Sequence, residues 1–294
     1  MQYVPFGDLG FDVSRLGFGM MRLPKVTLPD GSTALDEARA TAMLRSAIDQ
    51  GLSYVDTAYP YCDGQSEPLV GRILKDGYRE RVKLATKLPV WKVETRQDMD
   101  ALLDEQLKRL DVPYVDFYLL HALRREGWEK MKALGVLEFL DSAVKDGRIR
   151  YPAFSFHDDY EVFRDILTSY DWRMAQIQFN YLDYDDPTVQ SRECYEVCRK
   201  FGKPVLVMEP VKGGSLVKLP EAANPPAEVR AMMERYPVQC SPVEWAFRYV
   251  GDFDQVAVML SGMSDEAQVQ DNLRIFENVR PGCLSDADKR LIAR

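Results

Sequence analysis

The sequence is short of groups that several common chemistries require. Two histidines occur in 294 residues. They lie far apart, so no ligand cluster for a metal-dependent hydrolase is available. Lysine and arginine nowhere form a dense run. The tract Arg148-Ile149-Arg150 is brief, the net charge is −8 and the pI is near 5.0, which argues against a nucleic-acid or anionic-membrane surface. No stretch nears the ~18 apolar residues of a membrane span, and Met1-Gln2-Tyr3-Val4-Pro5 is not the basic-then-apolar start of a signal peptide. Five cysteines, Cys62, Cys194, Cys198, Cys240 and Cys283, are odd in number and scattered, unlike a disulfide framework. Cys194 and Cys198, one helical turn apart, read as helix packing rather than a metal pair. No Gly-x-Gly-x-x-Gly follows a strand and opens a helix, which excludes a Rossmann domain. The expectation is a soluble, reduced, cytoplasmic protein with neither nucleic-acid nor membrane partners.

What the sequence does have is a regular alternation. A hydrophobic fraction of 46% supports a full core, and 294 residues suit one barrel of about 250. Gln2 to Val13 reads as a β-hairpin around Phe6-Gly7-Asp8-Leu9-Gly10. Strands are expected at Leu16–Gly19, Ser53–Asp56, Val82–Lys87, Val115–His121, Ile149–Ser155, Met174–Asn180, Pro204–Glu209 and Val256–Leu260. Helical spacing marks Asp36–Gln50, Ser66–Leu74, Thr95–Leu110, Gly127–Asp146 with a break near Gly135, Tyr160–Ser169, Val189–Phe201, Ala227–Arg235, Pro242–Tyr249 and Glu266–Phe276. Leu219 to Pro226 reads as an excursion loop, and Ser285 as the N-cap of a last helix, Asp286–Ala293. Eight strand–helix alternations predict an α/β fold, a (β/α)8 TIM barrel with an N-terminal β-hairpin, as one domain over 1–294.

Three successive strands end on polar groups: one closes on Asp56 and leads into Tyr61, the next runs into Lys87, and the third into His121. In a parallel barrel those ends share one face. A free tyrosine has a pKa of about 10 and is a reluctant acid at neutral pH. An adjacent ammonium lowers it, and a carboxylate keeps a buried ammonium charged. This divides the work: Tyr61 donates the proton, Lys87 tunes it, Asp56 holds Lys87, and His121 orients a carbonyl oxygen. Singly, each has a plainer reading as a cap, a pocket wall, a solvated cation or a packed imidazole.

At these four positions the chain resembles the aldo-keto reductases, whose Asp/Tyr/Lys/His tetrad has this order and these strand ends. The phrases Met21-Arg22-Leu23-Pro24, Asp56 to Tyr61, Ser155-Phe156-His157-Asp158-Asp159 and Leu260-Ser261-Gly262-Met263-Ser264 resemble the branch that carries a C-terminal ferredoxin-like extension with a 4Fe-4S cluster. No cluster motif occurs in these residues, and 280–294 corresponds to the start of such an extension. In the family the hairpin (1–15) plugs the barrel floor. The resemblance implies a nicotinamide dinucleotide across the barrel mouth, touching Met20, Ser155, Gln176, Met208, the pyrophosphate-covering run Pro210-Val211-Lys212-Gly213-Gly214-Ser215-Leu216, then Gly262, Ser264, Gln268, Asp271 and Asn272. The family's Asn after the serine is Phe156 here, leaving His157 as a substitute or a surface residue. The basic residues many relatives offer a 2′-phosphate are Gly262 and Gln268. That exchange weakens the case for NADPH over NADH; family habit alone favours NADPH, with NADH open.

Met21, Tyr59, Trp91 and Trp128 are expected to wall a pocket for a flat or apolar carbonyl or alcohol; Trp128 fits helix packing equally well. The implied activity is NAD(P)H-dependent reduction of an aldehyde or ketone, or the reverse, by a monomer or small homo-oligomer. Two other readings stay open. One is a cofactor-binding redox sensor; the other is a barrel exchanging electrons with an iron–sulfur extension.

Overall fold

A computed structural model describes residues 1–218 and 240–288. Eight parallel strands close into a barrel in the order β3, β6, β7, β8, β9, β10, β11, β12. These are β3 (Leu16–Gly19), β6 (Tyr54–Asp56), β7 (Lys83–Leu88), β8 (Val115–Leu123), β9 (Ile149–Phe156), β10 (Met174–Gln178), β11 (Val205–Met208) and β12 (Val256–Ser261). The circle is sealed where Leu260 of β12 pairs with Gly17 of β3. A Cβ on Gly17 would stand 2.7 Å from the Val258 side chain and 2.9 Å from that of Leu260, so any larger residue there would force those side chains to shift.

The N-terminal strands β1 (Tyr3–Pro5) and β2 (Asp12–Ser14) pair antiparallel and bring Phe6 to the barrel floor. There Phe6 packs on Phe117 at 4.9 Å and joins Val13, Tyr54, Leu119, Met174 and Leu206 in a cluster inside the barrel. The larger core lies between barrel and helices. Helix α1 (Glu37–Asp49) contributes Ala40, Met43, Leu44, Ala47 and Ile48 at helical spacing, with Asp36 accepting from the Arg39 N–H as its cap. Helix α2 spans Ser66–Ile73, and α3 (Arg96–Leu110) starts on a reciprocal Thr95/Asp98 capping box. The expected break at Gly135 occurs: that residue takes φ 73° and separates α4 (Arg125–Ala133) from α5 (Val136–Lys145). Then follow α6 (Tyr160–Ser169), α7 (Ser191–Lys200), a short α8 (Ser215–Lys218), α9 (Pro242–Gly251) and α10 (Glu266–Ile275).

One element is unexpected. A second hairpin, β4 (Lys25–Thr27) with β5 (Thr33–Leu35), rises from the loop after β3. Its strands are only three residues each, too short for periodicity to register. Its turn had a signal in Pro29-Asp30-Gly31, where Asp30 Oδ1 accepts from the Ser32 N–H at 2.9 Å.

The expected loop Leu219–Pro226 and helix Ala227–Arg235 lie outside the described residues, as does the last helix beyond Asp288. Its start is present: Ser285 Oγ accepts from the Asp288 N–H at 3.2 Å. Among the described residues, no helix is long and apolar enough to cross a membrane, and no group of three or more His, Cys, Asp or Glu could hold a metal ion.

Candidate active site

The carboxyl ends of the strands meet over a cavity of about 310 Å³ whose wall includes Asp56, Tyr61, Lys87, His121, Ser155 and Gln176. Strand β6 ends on Asp56, and β7, one strand over, carries Lys87 inward. Both are buried. Lys87 Nζ donates to Asp56 Oδ1 at 2.5 Å, to the Thr57 carbonyl at 2.9 Å and to the Tyr61 hydroxyl at 3.2 Å. Three acceptors satisfy the three ammonium donors. His121 projects from β8 with its ring centre 5.9 Å from that of Tyr61, edge to face, and 5.2 Å from that of Trp91. The four expected residues are thus gathered in one place.

Electrostatics refine the expectation. Burial drives the Lys87 ammonium toward neutrality, but Asp56 and Tyr61 outweigh it and its pKa ends above the ordinary lysine value. Burial likewise pushes the Tyr61 phenol up. Lys87 pulls it down, Asp56 pushes it up, and the net direction is upward. The expected depression is therefore corrected: the ammonium restrains a rise that burial imposes. Burial, then Lys87 and His157, hold the His121 imidazole well below its ordinary value, so it is neutral at physiological pH. Its Nδ1 is buried and has no hydrogen-bond partner among the described residues.

The remaining expected side chains divide. Met21, Ser155, Gln176, Met208, Pro210, Val211, Gly213 and Gly262 line the cavity, as does His157. Ser155 Oγ accepts from the Ala122 N–H at 2.7 Å. Gln176 Oε1 is buried without a partner among the described residues, an open acceptor in the wall. Trp91 is half exposed beside His121. Phe156 lines a neighbouring cleft instead, and His157 borders both.

Others are placed elsewhere. Trp128 is fully buried on α4, donates from Nε1 to Asp165 at 2.7 Å and meets Trp172 edge to face. It is core, because positions 128 and 131 form the inward face of that helix. Tyr59 turns away, its hydroxyl donating to Glu105 at 3.1 Å and its ring lying 4.4 Å from the Arg109 guanidinium. Met20 is buried; its carbonyl accepts from Ser66 Oγ.

Lys212 pairs with buried Asp183, which removes it from the cavity wall. Gly214 leads into α8, which Ser215 opens and whose Leu216 is buried. Gln268 Oε1 accepts from the Ser264 N–H at 2.9 Å, Asp271 pairs with Arg274 at 2.9 Å, and buried Asn272 donates to Ser261 Oγ at 2.8 Å. These last side chains are engaged with their own helix and strand end.

Arg22 was not expected at the site. Its Nη1 donates to the Gly213 carbonyl at 3.0 Å, and its stem lies over Gly262, where an added Cβ would stand 3.4 Å from it. Apart from Lys87 it is the one Lys or Arg lining the cavity among the described residues. The only signal for it in the sequence was its place directly after a strand end.

Comparison with known proteins agrees with the fold. The description "Aldo/keto reductase family" matches residues 15–281. The chain is similar to aldo-keto reductase YhdN of Bacillus subtilis (strain 168), 30% identical over 55% of this chain and 55% of that protein. It spans about half the length of the first curated relatives it matches. Among solved structures it resembles aldo-keto reductase AKR11C1 from Bacillus halodurans, holo form, with TM-score 0.80 and 25% identity, over 100% of this chain and 95% of that one. An aldo-keto reductase from Klebsiella pneumoniae in complex with NADPH gives TM-score 0.74 at 22% identity, over 100% and 94%.

Proposed function

The chain belongs to the aldo/keto reductase family, and from that premise we propose that it reduces an aldehyde or ketone to an alcohol, or runs the reverse, with a nicotinamide dinucleotide. The observation that carries this reading is the series Asp56, Lys87, Tyr61, its first two members buried, whose phenol reaches a cavity shared with His121.

The residues present fit a nicotinamide dinucleotide. Gln176 offers a buried acceptor with no partner among the described residues, suited to a carboxamide N–H, with Ser155 beside it. Met208 offers a polarisable thioether for a ring. Gly213 and Gly262 present no side chain, and Arg22 between them offers the positive charge that a diphosphate requires. When bound, the dinucleotide supplies or takes the hydride. NADPH is the cofactor seen with the Klebsiella protein. Comparing NADPH and NADH affinities by fluorescence quenching tests the choice here, and equal or tighter NADH binding overturns it.

In the reducing direction the Tyr61 hydroxyl donates its proton to the carbonyl oxygen as negative charge develops there. Its raised pKa keeps it protonated at neutral pH, the form a donor needs. Lys87 stabilises the phenolate left behind, and Asp56 keeps Lys87 charged. Neutral His121 orients the oxygen by a hydrogen bond without competing as an acid. Met21 and Trp91, exposed at the mouth, give an apolar rim that favours flat or aliphatic carbonyls over polyanions.

The test is turnover of an aldehyde panel, followed by cofactor absorbance. Tyr61→Phe is expected to lose about a hundredfold or more in kcat while binding the dinucleotide normally. Retention of most of the rate would overturn the assignment.

A further inference from the structure

We propose that Arg109, outside the barrel on α3, is a positioning residue that sets the separation between the Tyr61 phenol and the Lys87 ammonium. The inference rests on the reading above, in which that pair handles the proton.

Tyr61 opens an unusual stretch of backbone. Cys62, Asp63 and Gly64 take φ values of 52°, 55° and 80°, a left-handed run in which two residues carry side chains. Such a run persists only where its surroundings over-determine it. The phenol cannot supply that restraint, since among the described residues its hydroxyl has one hydrogen-bond partner, Lys87, at 3.2 Å. Its position therefore depends on where the loop backbone is held.

Arg109 holds that backbone. Its Nη2 donates to the Gly64 carbonyl, and a Cβ on Gly64 would stand 3.2 Å from the same nitrogen. Its guanidinium also lies 4.4 Å from the Tyr59 ring centre, so it touches the loop on both sides of Tyr61. Nη1 lies 3.3 Å from Glu67 Oε2 and 3.7 Å from Glu105.

From Glu67 the connection continues inward through buried atoms. Glu67 Oε1 accepts from Thr86 Oγ1 at 2.6 Å and from Gln106 Nε2 at 2.6 Å. The same Gln106 nitrogen reaches the Lys87 carbonyl at 3.0 Å, and Gln106 Oε1 accepts from the Tyr118 hydroxyl at 2.8 Å. A continuous polar path thus runs behind the strands from the loop carrying Tyr61 to the main chain of Lys87. It fixes both partners from outside, independently of the bond between them.

The experiment uses the full chain loaded with the dinucleotide and reads single-turnover reduction against pH in Arg109→Gln and Arg109→Lys. The titratable and charged groups that line the cavity with the phenol are Asp56 from β6, Lys87 from β7, His121 from β8, His157 after β9, Arg22 after β3 and Glu209 after β11. In Arg109→Gln the phenol spends less time beside Lys87. The rate should fall about tenfold to a hundredfold, and the alkaline limb should move to higher pH, because the one group lowering that pKa is further away. Dinucleotide affinity should stay within about twofold. Arg109→Lys should recover part of the rate by keeping a charge on Glu67.

An unmoved limb overturns the proposal, whether the rate is unchanged or falls together with melting temperature. Should Arg109→Gln not fold, Gly64→Ala asks the same question by pushing on the guanidinium, with the same expected shift. Tyr61→Phe, measured alongside, separates the two claims. Activity in it sinks the proton-donor reading, whereas an inactive Tyr61→Phe beside an unshifted Arg109→Gln sinks only the positioning role.

Discussion

On the wall built from β6 and β7, the polar groups are held by one another. Lys87 touches Asp56, Thr57 and Tyr61, and the backbone beneath it is tied to Gln106. Across the barrel, from β10 to β12, the wall is more open: Gly213 and Gly262 bring no side chain, and Gln176 Oε1 has no partner among the described residues. The difference follows from what each wall is proposed to do. A proton donor needs fixed neighbours, since its acidity depends on distances of a few ångströms. A surface receiving a large ligand needs open acceptors and room for the ligand's own atoms.

Changes on the two walls should therefore act on different quantities. The largest effect is expected on the locked wall. Lys87→Met removes the ammonium and leaves Asp56 buried without its counter-charge. Turnover should fall about a thousandfold, with the dinucleotide still bound; a loss confined to affinity would erase the distinction between the walls. A smaller effect of opposite kind is expected at the open wall. Arg22→Ala frees the Gly213 loop and removes a cation, so dinucleotide Kd should rise about tenfold with single-turnover rate at saturation unchanged. Titration by fluorescence quenching checks it, and a fall in that saturated rate would place Arg22 in the chemistry instead.

The same contrast governs what could be read in the sequence. That Asp56, Tyr61, Lys87 and His121 would meet was legible because each closes or follows an apolar strand, and parallel strands deliver their ends to one face. The eight barrel strands were legible for the same reason, as was the break at Gly135, whereas the short hairpin β4–β5 was not.

What failed were pairings across long separations. Lys212 looked free until Asp183, in the loop after β10, was found to hold it. Trp128 looked equally suited to pocket or core, and Asp165 of α6 decided for the core. Tyr59, two residues from Tyr61, gave no sign that Glu105 and Arg109 would turn it outward. The sign of the Tyr61 shift was also out of reach, since it is a contest between burial and Lys87. Burial is a property of the assembled cavity, not of any local spacing.

The central claim is that a phenol, and not an imidazolium, gives the proton. The most direct measurement is the pH dependence of single-turnover carbonyl reduction by the loaded wild-type protein. Tyr61 is raised above its ordinary value, about 10, and His121 is depressed below its own, about 6.5. Activity should then stay level through neutral pH and fall only as pH rises through the phenol's raised pKa. A rate that falls as pH rises through about 6.5 would make the protonated histidine the acid and contradict the account.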